Sequence, residues 1–359
     1  MKYSIIMPCF KQENYVRETL DSVLSQKVRD WEILCTDDGS PDNMGKVLDD
    51  YVHEKCINVR EYEQILDAGE EDKHTEVPKR LVVGDVIGGG KIRITHQLNS
   101  GLSASRNVSL IQATGDWLIY LDGDDLLAPC ALEVIEDCME MFPDADMIRG
   151  GVEQFVDGAG CKWLDRHEAP FVIDMTHSIS RRCTCCNFHQ YVYNRKLVAD
   201  IYFSGIGWNE ERPYVAKCMV RATQMAVTTS PFYGYRVRRG SMSHSKMPLE
   251  TLIGNLEATK TVIRTYVGSG KKIDPFLIRA WLTDWTEFHV GFIMRHLCPE
   301  DRPVAWRNFF KSLDEAVTYE PKTLWRAFTI RVCRFWHSKI LAIILLYFPH
   351  WLKLKGIHR

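Results

Sequence analysis

Asp122, Asp124 and Asp125 place three carboxylates within four residues, directly after the apolar run Trp117-Leu118-Ile119-Tyr120-Leu121. The run reads as a short buried strand of a parallel sheet. Such sheets bind ligands just beyond the carboxyl ends of their strands. Negative charge crowded at that place is costly unless a cation sits in it, and hard oxygen donors suit Mg2+ or Mn2+. The stretch therefore predicts a divalent-metal site that holds a phosphate-bearing ligand. A second acidic pair, Glu210-Glu211, lies on a Gly-bounded turn that begins at Gly205 and runs into a helix.

The surrounding elements must bring these groups together. Tyr3 to Met7 is a compact apolar strand ended by Pro8-Cys9-Phe10, and Asn14 is positioned to cap a helix carrying Val16, Leu20, Val23 and Leu24. Trp31 to Thr36 is a second strand, closed by Asp37-Asp38-Gly39-Ser40-Pro41-Asp42. A helix with Met44, Val47, Leu48, Tyr51 and Val52 on one stripe follows. Strand, helix, strand, helix is the pattern of a parallel α/β sheet. Residues from about 61 to 90 break that rhythm with the charged run Gly69 to Lys73, then Val82 to Ile87, then Gly88-Gly89-Gly90, and read as a solvated insertion. The triple glycine is a weak phosphate cradle, since neither a strand-to-helix context nor Lys-Ser/Thr follows it.

Lys91 to His96 resumes as a strand, and the polar loop from Asn99 leads into a helix from near Ser103 to about Ala113. Beyond Asp125, Pro129 opens a helix with Leu132, Ile135, Cys138 and Met139 on its buried stripe, and Asp146 to Gly151 is a further strand. Strand character returns at Tyr191 to Leu197 and at Phe232 to Val237, after which Arg238 to His244 is a basic polar loop. The first 245 residues thus form an α/β unit, 246–320 a helical region with a soft boundary near Ser245, and 321–359 a basic amphipathic tail.

With 359 residues and 45% hydrophobic content the chain can bury a full core, and a net charge of -2 gives no electrostatic case for nucleic acid. The N-terminus runs straight into a strand, so no signal peptide is expected. The twelve cysteines show no disulfide framework, which fits a reducing cytoplasm. Cys183, Cys185 and Cys186, with His177 and His189 nearby, lack the paired spacing of a zinc site and read as small buried thiols. No acidic residue follows Glu320. Leu324, Trp325, Phe328, Val332, Phe335 and Trp336 share one helical face, opposite Arg326, Arg331 and Arg334. The apolar run Ile340 to Phe348 is shorter than the ~20 residues of a span. The tail is therefore expected to lie on anionic lipid as a peripheral contact, against the alternative of a helix docked on the core.

Four stretches in order, Tyr3-Ser4-Ile5-Ile6-Met7-Pro8, Asp37-Asp38-Gly39-Ser40, the loop Asn99 to Asn107, and Leu121-Asp122-Gly123-Asp124-Asp125, resemble the family 2 glycosyltransferases of the GT-A fold over roughly the first 240 residues. The resemblance implies a metal-dependent, inverting transfer of a sugar from a nucleotide-diphosphate donor, a UDP-sugar in the first place, to a hydroxyl of a glycan or lipid-linked acceptor of the cell envelope. It assigns Asp37 or Asp38 to the nucleobase, where a carboxylate accepts from the uracil N3–H, although an Asx-type turn could use one of them as it uses Asp42. Pro8 and Phe10 would line the same pocket. Arg106 would pair with the pyrophosphate or with Asp122. Asp124 would coordinate Mn2+ or Mg2+, Asp122 would contact ribose or a metal-bound water, and Asp125 would serve the turn. Glu211 stands where the family has a catalytic Asp and is the expected base, with Glu210 as its substitute. The departure from Asp keeps open a catalytically silent sugar-nucleotide-binding protein. A metal-dependent phosphohydrolase of the haloacid-dehalogenase kind fails, because Leu126 stands where that motif needs Thr or Val and strands precede the Asp-X-Asp.

Overall fold

The computed structural model describes residues 1–67, 76–164, 168–180, 188–205, 209–238, 249–274 and 300–317, together with Leu277 and Ile293. The strand β1 (Tyr3–Cys9) is buried at every position, as strands covered on both faces are. It leads into α1 (Val16–Leu24), which turns Val16, Leu20 and Val23 onto the sheet. The cap position is Tyr15 and no side chain caps it, so the expected Asn14 cap is not formed. Instead the Gln12 carbonyl accepts from both Tyr15 N and Val16 N, and a tight turn starts the helix. Strand β2 (Trp31–Asp37) is again wholly buried, and α2 (Met44–Lys55) covers it with Met44, Leu48, Tyr51 and Val52.

The region read as a solvated insertion is part of the sheet. Strands β3 (Cys56–Asp67) and β4 (Glu76–Val86) form an antiparallel hairpin, and β4 pairs with β5 (Lys91–His96). Leu81 and Val82 are fully buried; their short apolar run sits among charges, which concealed the strand. Gly69 to Lys73 lie outside the described residues. Gly88, Gly89 and Gly90 make the β4–β5 turn with φ of 91°, 112° and 89°, and a Cβ on Gly90 would come within 2.6 Å of the Trp31 ring. That turn is at the end of the sheet away from the carboxylates, so it serves packing and not phosphate.

The chain continues through α3 (Leu102–Gln112), β6 (Trp117–Tyr120), β7 (Leu126–Leu127), α4 (Ala131–Met141) and β8 (Met147–Val156). After β9 (Phe171–Asp174), β10 (Ser178–Ile179) and the 3-10 turn Phe188–Gln190 come β11 (Tyr191–Asn194), α5 (Glu211–Arg221), β12 (Gln224–Val237), α6 (Leu249–Gly268), β13 (Lys272–Ile273) and α7 (Arg302–Val317). The sheet order is β3-β4-β5-β2-β1-β6-β11-β8-β12-β7, with β9 on β12. Its centre, β5-β2-β1-β6, is parallel, as the strand-helix alternation predicts. β11 runs antiparallel between β6 and β8. One face is packed by α1, α2 and α4, the other by α3 and α5, on which α6 and then α7 lean. The boundary near Ser245 and the tail 321–359 lie outside the described residues. Among the described residues no helix is long and apolar enough to cross a membrane.

One part-buried clamp fixes α2 to the end of β2. His96 Nδ1 lies 3.0 Å from Asp37 Oδ2 and its Nε2 lies 2.9 Å from Asp49 Oδ1. Burial alone would lower the imidazole pKa, but the hydrogen bonds and charges of Asp37 and Asp49 raise it to about 9. A folded value above the unfolded one means the contribution is complete below about pH 6.5 and is lost as pH rises through about 9. His96→Gln is thus expected to cost about 1–3 kcal/mol at pH 6. In urea melts the gap from the parent should close by pH 10; a gap independent of pH would mean that His96 is neutral in the clamp.

Candidate active site

Hydrogen bonds at the carboxyl edge of the parallel strands bring the candidate residues into one row. Leu121 N donates to Ile6 O, Asp38 N to Cys9 O, and Gln97 N to Asp37 O, each at 3.0–3.1 Å. The chain then turns at Asp122, whose carbonyl accepts from Asp125 N at 3.0 Å. Asp125 is a turn residue in a strong sense. Tyr233 OH donates to its Oδ2 at 2.5 Å and Arg236 N to its Oδ1 at 2.8 Å, which ties the turn to β12. Burial and the charges of Asp124 and Asp122 push its carboxyl well above the ordinary range.

Asp122 is gripped from both sides. Arg106, on α3 and 3% exposed, donates to Asp122 Oδ1 at 3.2 Å and to Glu210 Oε1 at 2.7 Å. His189 Nε2 stands 2.9 Å from Asp122 Oδ2, at ion-pair distance without hydrogen-bond alignment. Burial would raise the Asp122 carboxyl, yet His189 and Arg106 hold it well below the usual carboxylate range. The turn Phe188–Gln190 supports both cations. The Phe188 ring lies under the Arg106 guanidinium at 4.9 Å, and the His189 ring stacks on Tyr233 at 4.8 Å. Burial and the charge of Glu211 raise the Glu210 carboxyl, with Arg106 opposing.

Asp124 receives Arg238 Nε on Oδ2 at 2.6 Å and Gln12 Nε2 on Oδ1 at 3.0 Å. Burial and the Asp122 charge raise its carboxyl, and Arg238 counteracts them. Arg236 holds the loop from behind, donating to the Asp124 carbonyl, Asp157 and Glu18. At the other end of the row, Asp38 accepts from Gln97 Nε2 (2.7 Å), Ser100 N (2.8 Å) and Gly101 N (2.9 Å). Asp37 accepts from Ser40 N and faces His96. Pro8 is buried in β1, while Phe10 is 38% exposed beside them.

The structure therefore brings Pro8, Phe10, Asp37, Asp38, Arg106, Asp122 and Asp124 to one edge, and Arg106 joins Glu210 to them. Glu210 occupies the cap position of α5, and the partly exposed Glu211 begins that helix. Sequence reading missed His189 and Tyr233 as members of the site. His189 had drawn notice only beside the cysteine cluster, whose residues 181–187 lie outside the described ones. So do Trp208 and the loop from Arg239 to His244.

The donor set fits a divalent cation. Two hard carboxylates with one residue between them, Asp124 raised by burial and by the Asp122 charge, gain from a cation between them. Among the described residues no group of three or more His, Cys, Asp or Glu side chains is arranged for a metal. A pair suffices for Mg2+ or Mn2+ when substrate phosphate and water complete the shell.

The model of glycosyl transferase family 2 matches residues 4–65 and 64–202, and the chain belongs to that family. The chain is 30% identical to the uncharacterized glycosyltransferase EpsJ of Bacillus subtilis over 125 residues, which is 35% of this chain and 26% of that protein. It is 22% identical to the glycosyltransferase GlyA of Streptococcus pneumoniae over 254 residues, 67% of this chain and 31% of GlyA. The matches thus span about a quarter to a third of these relatives. Among solved structures, S. aureus TarS 1-349 in complex with UDP-GlcNAc superposes with a TM-score of 0.62 at 18% identity, covering 88% of this chain and 81% of that one. The shared architecture is the GT-A α/β fold.

Proposed function

We propose that the protein transfers a sugar from a UDP-sugar to a hydroxyl of a glycan or lipid-linked acceptor, with inversion at the anomeric carbon. One observation carries the reading: Asp122 and Asp124 stand at the carboxyl edge of the parallel strands with Arg106, His189 and Arg238 set on their oxygens. An alternating set of largely buried carboxylates and cations suits a ligand that brings both phosphate and a metal. The UDP-GlcNAc held by TarS on the same fold supports the choice of a UDP-sugar.

Pro8, Phe10 and Asp38 hold the base, and Asp122 and Asp124 would hold Mn2+ or Mg2+. The metal, when bound, neutralises charge on the leaving nucleoside diphosphate. Arg238 is placed to exchange Asp124 for diphosphate oxygen, while Arg106 stays committed to Asp122 and Glu210. Glu211, at the start of α5, takes the acceptor proton as the acceptor oxygen attacks the anomeric carbon from the face opposite the diphosphate. The new glycosidic bond forms as the bond to the phosphate oxygen breaks, and the sugar inverts. Glu210, buried and paired with Arg106, positions α5 and leaves the base role to Glu211.

Calorimetry with UDP and Mn2+ tests the donor site. The parent should bind UDP with a Kd between about 1 μM and 1 mM, and Asp124→Ala should remove the Mn2+-dependent part. An unchanged isotherm in that variant would sink the metal assignment. A thermal-shift screen of nucleotide sugars then identifies the sugar.

A further inference from the structure

The β3–β4 hairpin delivers a buried cation to the nucleobase end of the site. Arg80 pairs with His96 and Leu81 with Thr95, so Lys79 stands one step past the last strand pair, opposite Gln97. Alternate residues of a strand share a face. Val82 joins the core under α2, whereas Thr95 meets Gln112 of α3. Lys79 therefore shares the α3 face with Leu81, Thr95 and Gln97. It is 3% exposed, a costly setting for an ammonium. Burial lowers its pKa and the charge of Asp38 counteracts this.

Two neighbours have unused capacity. Gln97 spends Nε2 on Asp38 Oδ1 and Ser105 Oγ, but its buried Oε1 has no partner. Asp38 Oδ1 accepts from Gln97 Nε2 and Ser100 N, whereas Oδ2 accepts from Gly101 N alone and keeps one lone pair. A lone pair on a carboxylate beside an ammonium matches a base edge that offers an N–H next to a carbonyl. The imide edge of uracil has that order. Cytosine of the same size has the reverse, a bare ring nitrogen toward the carboxylate and an amino group toward the ammonium.

We propose that Lys79 reads the base: its ammonium donates to a uracil carbonyl and to Gln97 Oε1 while Asp38 accepts the ring N–H, so that the hairpin makes the site choose uracil over cytosine. The inference rests on the nucleotide-sugar reading above. It is tested by calorimetry of UDP and CDP, each with Mn2+, against the parent, Lys79→Met and Lys79→Gln.

The parent should prefer UDP over CDP by at least about 10-fold, and Lys79→Met should weaken UDP by roughly 10- to 100-fold with CDP little changed. Lys79→Gln, a neutral donor, should fall between. Replacing a buried charge by an apolar chain of similar length does not threaten the fold, and melting curves check this for both variants. Whichever variant melts like the parent decides the matter: if it keeps the parent's UDP/CDP ratio, Lys79 is only a counter-ion and the inference falls. If the parent binds neither nucleotide, the nucleotide-sugar reading itself fails. If a variant loses UDP and CDP equally, Lys79 acts on the site's shape and the base-reading role is overturned.

Discussion

Glu211→Gln is expected to lower sugar transfer by about 10²–10⁴-fold, the range for losing a general base, with UDP affinity within a factor of about 2 of the parent. The two adjacent glutamates separate by environment. Glu210 is 5% exposed and its Oε1 is taken by Arg106 at 2.7 Å, whereas Glu211 is partly open at the first position of α5. A base must reach the acceptor hydroxyl, and the buried Glu210, with Oε1 held by Arg106, is not free to do so. Glu210→Gln should therefore show the opposite profile. It loosens Arg106 from α5, so donor affinity and melting temperature fall together while the turnover of bound substrate changes little. Single-turnover rates with saturating donor distinguish the two. Full transfer by Glu211→Gln alongside a dead Glu210→Gln would move the base to Glu210. Inactivity of the parent toward every nucleotide sugar that it binds would favour a silent binding protein.

The central strands were legible because they are buried on both faces. Ile5, Ile33 and Ile119 sit in uninterrupted apolar runs that leave no second interpretation. The carboxylate row was legible for a related reason, since strand ends fix where Asp38 and Asp122 must lie. The β3–β4 hairpin was not. On β3 the residues from Arg60 to Gln64 are exposed, and on β4 the buried run Leu81 to Gly84 follows the charged pair Lys79-Arg80. Such a composition reads as solvated until pairing with β5 is known, and pairing is a long-range fact. The same holds for His189. It acts through Asp122 and Tyr233, both distant in the chain, and no local spacing announces such a contact. Asn14 failed for a smaller reason: a carbonyl, at Gln12, starts α1 in place of a side-chain cap.

Arg106→Met should destabilise the fold by about 3–5 kcal/mol, because it leaves the buried Glu210 and the part-buried Asp122 without the cation between them. The guanidinium fork touches Asp122 and Glu210 at once, and burial of 3% exposure leaves water no means of replacing it. The charges of Asp122, Glu210 and Glu211 hold Arg106 protonated against its burial. The cost must follow pH. In the parent, Asp122 is held below the usual carboxylate range, so its contribution is present above the unfolded value and is lost only as pH falls through the depressed one. Without Arg106 the burial of Asp122 and Glu210 acts unopposed by that cation, and their folded values rise. The variant then loses stability as pH climbs above about 4, and the gap from the parent should widen between pH 5 and pH 7. Denaturant melts across that interval check the sign; a gap that narrows toward pH 7 would mean that Arg106 packs more than it pairs. Adding Glu210→Gln to Arg106→Met should recover part of the loss, since one of the uncompensated charges is gone. Arg106→Lys keeps the charge but cannot bridge both carboxylates in a plane, so it should restore stability before it restores donor binding. That order is expected only if one side chain both supports the fold and sets Asp122 at the right place for the diphosphate.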